Sequence, residues 1–290
     1  MRVKIMTAAA VAAAIGLCIA GGAVAQEKVS GSEWTQIVEQ IGSKGAVNWT
    51  EGYIEAVGIG APPQRMIGTP QARPNALRAA QVDAYRNLLE VVNGVRVNSA
   101  TTVRDFAVES DVINTQVQGI VKGAKAVNQE YLSDGTVEVT VRMPISGNFA
   151  AVIVPKIMEK KKATAPPKAP EAPAAPGEVF TGLVVDARGI QARPAMSPRI
   201  LDEKGQEVYG SQNVEREYAV QQGMSGYARD LTAAQSNARV TNSPLSVKGL
   251  KTEGAGRSDI VIANADAEKI RANGDNLGFL KKCRVMIVLD

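Results

Sequence analysis

The strongest pattern in the chain is helical. From about Pro74 to Asn93, Leu77, Ala80, Ala84, Leu88 and Val92 recur three or four positions apart and make one apolar stripe. Pro74 suits the first turn, and Gly94, directly after Asn93, suits a left-handed stop. Around this helix a period of two prevails. Val47 to Gly58 predicts an opening strand with Trp49, Tyr53 and Val57 on a shared face. Val95 to Val108 is rich in Val and Thr and predicts a strand, followed by a short helix over Ser110 to Gln118. Ala124 to Leu132 and Thr136 to Met143 flank Ser133-Asp134-Gly135, whose Asp-Gly pair predicts a hairpin turn. In its second strand Val137, Val139, Val141 and Met143 face one way, toward Leu77, Ala84 and Leu88 of the helix. Glu138, Thr140 and Arg142 face the other, open to water or a neighbour.

Further along, Val179 to Asp186 predicts a strand, and Arg199–Leu201 with Glu207–Tyr209 predicts a hairpin around Asp202-Glu203-Lys204-Gly205. Val214 to Arg239 has helical potential. Leu245–Thr252 and Asp259–Ala263 read as strands, and Asn264 as the cap of a helix over Ala265–Ala272 that stops at Asn273-Gly274. In the last strand, Cys283 to Leu289, alternate residues Cys283, Val285, Ile287 and Leu289 share a face. Gln-Ala-Arg-Pro occurs at Gln71–Pro74 and again at Gln191–Pro194, but the flanking residues disagree and no repeat follows.

Between the halves, Glu159 to Gly177 carries Lys160-Lys161-Lys162 and then little but Ala and Pro. Proline breaks helix and ladder bonding and alanine offers little to bury, so an extended spacer is expected. The resulting expectation is an α+β chain of two small domains, 26–158 and 178–290, joined by linker 159–177. Each domain is expected to be a mainly antiparallel sheet packed by one or two helices.

The first 25 residues stand apart. Arg2 and Lys4 precede an uncharged run from Ile5 to Ala25 that closes on Ala23-Val24-Ala25. This is the order of a secretory signal peptide, with cleavage after Ala25 and Gln26 opening the mature chain. A retained anchor is the competing reading, since the run is about long enough to span; its small residues and terminal cleavage pattern favour removal. Cys18 raises lipid attachment, but Leu17 stands where that reaction needs a small residue. The periplasm follows as the expected location, with outer-membrane association indirect.

Composition mostly excludes. Lys and Arg number 33 against 29 Asp and Glu; without Arg2 and Lys4 the balance is 31 to 29. With no basic stretch interleaved with aromatics, no nucleic-acid footprint is present. Hydrophobic residues make up 45% but aromatics only 4%, so Val, Ala, Ile and Leu must build the cores. There is no histidine, which removes Ser-His-Asp and Cys-His nucleophile systems and His-ligated metal sites. Past the leader only Cys283 remains, read as a buried structural thiol.

Other candidate chemistry is thin. Gly58-Ile59-Gly60 follows a strand, but Pro62-Pro63 comes next where a phosphate loop needs a helix. Asp186-Ala187-Arg188-Gly189 reads as a turn with a local ion pair. Asp259 and Asp266 could pair as carboxylates, although Asp266 is explained by the dipole of the helix it opens. No catalytic residue, metal site or cofactor is expected.

Several stretches are familiar in series: Asn48-Trp49-Thr50-Glu51-Gly52-Tyr53-Ile54-Glu55-Ala56, Ala79 to Leu89, Gly94-Val95-Arg96-Val97 with Thr101-Thr102-Val103, and Tyr131 to Val139. Together, over about Asn48 to Pro144, they resemble the LPP-type lipoprotein family, which includes flagellar assembly proteins P and T. Thr181 to Gly189 resembles a second module often joined to it. The resemblance implies a non-catalytic envelope protein that assembles in rings or disks at the outer-membrane part of the flagellar motor. It implies homo-oligomers and other envelope or basal-body proteins as partners. Glu138, Thr140 and Arg142 are the expected partner interface. The alternative, from another class, is a periplasmic binding module for lipid, glycan or peptidoglycan, with its cleft in the second domain.

Overall fold

The computed structural model describes residues 36–162, 179–272 and 274–290. They form an α+β fold in two units, one around a five-stranded antiparallel sheet and the other around a seven-stranded mixed sheet. The leader, the cleavage site before Gln26 and the Pro/Ala segment from Ala163 to Gly177 lie outside these residues.

In the first sheet the strands are β1 (Val38–Gln40), β2 (Gly45–Asn48), β3 (Tyr53–Gly60), β4 (Lys125–Tyr131) and β5 (Val137–Pro144), in the order β1-β2-β3-β5-β4. The single strand expected over Val47–Gly58 is instead a hairpin, with Asn48 paired to Tyr53. Turn chemistry overrides the apolar run here. The Asn48 side-chain oxygen accepts from Glu51 N at 2.9 Å, and Gly52 takes a φ of 72° that disfavours other residues. Trp49 therefore sits in the turn. Ile54 and Ala56 point into the core, while Tyr53, Glu55 and Val57 face the other way.

Helix α1 (Ala72–Gly94) lies across β3 and β5, burying Ala76, Ala80, Ala84 and Leu88. Its contact with β3 is close because both surfaces are shaved to small residues. A Cβ on Gly58 would overlap Ala80 O and Ala84 N, and one on Gly60 would overlap Ala76 O and Ala80 N. Gly58 and Gly60 are thus packing residues, the third role for strand glycine beside turns and bulges. Gly94 differs from expectation too. It stays within the helix, which ends on an extended Val95, and a Cβ there would run into Ile41. Close approach, not a left-handed stop, explains it.

The strand expected over Val95–Val108 survives only as a bridge between Arg96 and Thr102. From there the chain forms α2 (Val103–Glu109) and α3 (Asp111–Lys122). Local caps outweigh the β-branched composition. Thr102 and Asp105 form a capping box, and Ser110 caps α3 through Ile113 N. Helix α4 (Asn148–Lys162) was not anticipated, although Phe149, Ala150, Ile153, Val154 and Ile157 are spaced as a buried helical stripe. Pro155 inside it masks the signal. The helix also takes in Glu159 to Lys162, the first residues assigned to the linker.

The second unit comprises β6 (Leu183–Asp186), β7 (Arg199–Asp202), β8 (Glu207–Tyr209), α5 (Arg216–Gln222), β9 (Gly226–Ala228), α6 (Leu231–Gln235), β10 (Leu245–Glu253), β11 (Asp259–Ile262), α7 (Asn264–Arg271), α8 (Gly274–Lys281) and β12 (Val285–Val288). The sheet order is β8-β7-β11-β10-β6-β12-β9. The mainly antiparallel expectation is corrected here. Pairings β6–β10, β6–β12, β9–β12 and β7–β11 are parallel, leaving β10–β11 and β7–β8 antiparallel. Short apolar strands buried on both faces carry parallel pairing, and β11 and β12 are buried at all four positions. Val285 and Ile287 enter the main core, and Met286 and Val288 a smaller one with Val184, Ala234 and Val240. Asn264 does not cap α7, where Ala263 holds that place. Gly274 opens α8 where a stop was expected.

Gly58→Ala is expected to lower stability by about 1–3 kcal/mol, because the helix must lift off the strand. Gly119→Ala, in α3 with open space around it, is expected to raise stability by about 0.5–1 kcal/mol. Urea denaturation of the two variants checks both signs.

Candidate functional site

Glu138, Thr140 and Arg142 share the open face of the first sheet, opposite the buried Val137, Val139, Val141 and Met143. Arg142 is engaged within the chain. Its Nε and Nη2 donate to Glu55 Oε2 at 3.1 and 2.8 Å, and its guanidinium lies 3.8 Å from the centre of the Tyr53 ring. Glu55 comes from the neighbouring strand, directly opposite Arg142. Arg142 thus acts as the fixed cation of the face, with Glu138 and Thr140 half-buried beside it.

Beside this face lies a groove of about 1040 Å³ between the β4 edge, α3 and α4. Ile120, Val127, Phe149 and Val152 line its floor, with Lys125 and Arg142 at the rim. Such a volume accommodates a ligand of drug size or a stretch of polypeptide. The binding reading places its cleft in the second unit, whereas this groove is lined by the first unit, Gln221 excepted. Among the described residues no group of three acidic, His or Cys residues could hold a metal ion.

A second concentration of polar chemistry joins the units. Glu39 Oε1 accepts from Arg96 Nη2 at 2.9 Å and from Arg193 Nη2; its Oε2 accepts from Trp49 Nε1 at 3.2 Å. Burial would raise the Glu39 pKa, but the two guanidinium groups outweigh it and hold the carboxyl below its ordinary value of 4.5. Arg96 Nη1 donates to Pro194 O at 2.6 Å. Backbone bonds run alongside, from Met196 N to Arg96 O and from Ser197 N to Val97 O. Trp49 meets Tyr227 edge to face at 5.8 Å. Tyr227 O–H donates to Ala195 O at 2.7 Å, and burial pushes its pKa up to about 12. Deeper in the seam, Asp259 accepts from both Ser99 and Arg199.

The earlier candidates are separated. Asp259 belongs to the seam, whereas Asp266 pairs with Lys269 at 3.1 Å on the first turns of α7. Arg188 makes a two-pronged pair with Asp186 at 2.7 Å, the local turn contact that was expected. Cys283 is buried, and burial pushes its thiol up to about 11, so it stays protonated at neutral pH. Arg239 stands near it, with Nη1 donating to Gly223 O and Cys283 O and Nη2 to Gln222 O. A guanidinium is thereby neutralised by carbonyls at the ends of two helices. Sequence reasoning missed the seam. Its one signal was Arg96 between the apolar neighbours Val95 and Val97; Glu39 has Val38 on one side only and Gln40 on the other.

Residues 182–290 match the family model described as the second domain of Treponema pallidum Tp0624. The matched segment opens just before β6 and takes in the whole second sheet. A search of the curated proteins found no match.

Glu39→Gln leaves Arg96 and Arg193 facing each other and is expected to cost about 3 kcal/mol at neutral pH. The folded-state pKa is the lower one, so the stabilisation is complete above the unfolded-state value. It fades as pH falls through the folded-state value. The gap between wild type and Glu39→Gln should therefore narrow on acidification; a constant gap contradicts the assignment. The two sheets also contribute to one contiguous apolar cluster. A chain cut at a protease site engineered after Ala169 is expected to elute as one species until denaturant is added.

Proposed function

We propose that this is a non-catalytic structural protein of the cell envelope, exported by its leader to the periplasm and built to assemble with copies of itself and with other envelope proteins. The observation that carries this reading is the free edge of the first sheet. Among the described residues, strand β4 has a neighbour on one side only, and all seven of its residues are exposed. Such an edge presents a row of unpaired N–H and C=O groups on which another strand can pair. The fixed, charged face of Glu55, Arg142 and Glu138 lies directly beside it. At the opposite edge of the sheet, the Glu39 seam on β1 ties the second unit to the first, so that force or position applied to one is passed to the other. The resemblance of Asn48–Pro144 to the LPP-type lipoprotein family points the same way, toward a flagellar motor accessory at the outer membrane. Export supplies the compartment, and among the described residues no helix is long and apolar enough to cross a membrane.

The groove supports a second reading, an envelope binding module whose ligand is lipid, glycan or peptidoglycan. Its apolar floor and cationic rim suit an amphipathic molecule.

Fractionation of cells producing a tagged chain is expected to place it in the periplasmic and outer-membrane fractions, with Gln26 as its N-terminus. Ala14→Arg puts a charge in the leader and should hold the chain inside the cell. A deletion strain is expected to lose motility while keeping its growth rate. Unchanged swimming together with loss of envelope lipid or glycan binding would transfer the assignment to the second reading.

A further inference from the structure

The edge of the first sheet carries its charges in like pairs. On the open face Lys125 of β4 stands opposite Arg142 of β5, Asn128 opposite Thr140, and Glu130 opposite Glu138. Two cations at one end and two anions at the other are each unfavourable across a strand pair. Arg142 is balanced by Glu55 on its far side. Lys125 has no ionic partner among the described residues, and Glu130 has only the Asn128 amide at 2.7 Å. The same strand exposes Val127 and Tyr131, with Leu132 next to them, at 49, 51 and 45%.

We infer that β4 pairs antiparallel with β4 of a second copy, about a two-fold axis at Asn128. Hydrogen-bonded and non-bonded pairs alternate along an antiparallel ladder, so such an axis must pass through a residue facing its own equivalent. The ladder between β4 and β5 shifts between Ala126 and Asn128, which makes Val127 an extra, bulged residue. With Val127 counted out, Lys125 stands two positions before Asn128 and Glu130 two positions after. The axis therefore brings Lys125 of each copy against Glu130 of the other, on the face where both lack a counter-ion. An axis at Val127 or Gln129 leaves those charges mismatched. Edge charges and bulges ordinarily keep strands apart; here the bulge sets the one register in which opposite charges meet. Self-pairing joins two five-stranded sheets into one, with the Glu39 seam of each copy at its outer ends. This deepens the structural reading above and rests on it.

The test is sedimentation velocity on the purified full-length protein over a range of concentrations. Wild type is expected to show a reversible dimer. Lys125→Glu and Glu130→Lys should each weaken it about tenfold, since each places like charges at two contacts per dimer. Each also removes a like-charge pair within the chain, so thermal unfolding of either variant should be no lower than wild type, which separates lost pairing from lost folding. An equimolar mixture of the two variants, and the double variant, should recover wild-type association. Asn128→Cys should form an oxidised dimer, as Cys283 is buried. A dimer indifferent to both charge reversals, or an Asn128→Cys chain that never cross-links, overturns the β4 pairing and leaves the structural reading in place. So does a wild-type monomer whose β4 edge is occupied by another envelope polypeptide. A monomer at every concentration that retains no envelope partner overturns both.

Discussion

One carboxylate, Glu39, decides how the two halves of this protein stand to each other. It lies on β1 of the first sheet and accepts from Arg96, 57 residues away, and from Arg193, 154 residues away. Each arginine brings a strand-like segment with it, and the backbone bonds from Met196 to Arg96 and Ser197 to Val97 close over the pair. A part-buried ion cluster of this kind adds little net energy beyond its desolvation cost, but removing its shared carboxylate leaves two guanidinium groups without their partner. Its effect is therefore to specify one docking geometry out of many. Trp49 adds the apolar part, giving its N–H to Glu39 and its ring edge to Tyr227.

Within the first unit the same role falls to absence of side chain. Gly58 and Gly60 let the Ala76–Ala80–Ala84 face of α1 rest on the β3 backbone. That fixes the height of the helix above the sheet. The open face and the free edge belong to this unit, as does nearly all of the groove's lining, while β11 and β12 of the second sheet are buried on both faces. The division of labour follows from sheet type. An antiparallel sheet can leave a face to solvent, whereas strands in parallel pairing are buried on both faces.

What the sequence makes legible follows the range of the interaction. Helix α1 and the β4–β5 hairpin are written locally, in an apolar stripe and in Ser133-Asp134-Gly135, and both stand where expected. Helix α2 was misread because Val103 and its Thr-rich approach suggest a strand, while the deciding signal was a capping box of two side chains, Thr102 and Asp105. The Val47–Gly58 run was misread for a similar reason, since Asn48 and Gly52 turn the chain inside an apolar stretch. Parallel pairing in the second sheet is set by which strands meet, and four-residue apolar runs such as Val285–Val288 do not record their neighbours. The seam was the least legible, because Glu39, Arg96 and Arg193 look like ordinary surface charges until the fold brings them together. Of the proposed interface, Glu138, Thr140 and Arg142 were placed correctly on one face by simple alternation. That Arg142 is already held by Glu55 and Tyr53 depends on a strand 87 residues earlier.

The position of β12 has a consequence for the order of folding. It follows the other strands of its sheet in sequence, yet it lies between β6 and β9. Until residues 285–288 arrive, β6 and β9 have no common neighbour, and Val184 has no Met286 or Val288 to pack against. The second unit therefore closes only when contacts about a hundred residues apart form, and such contacts form late.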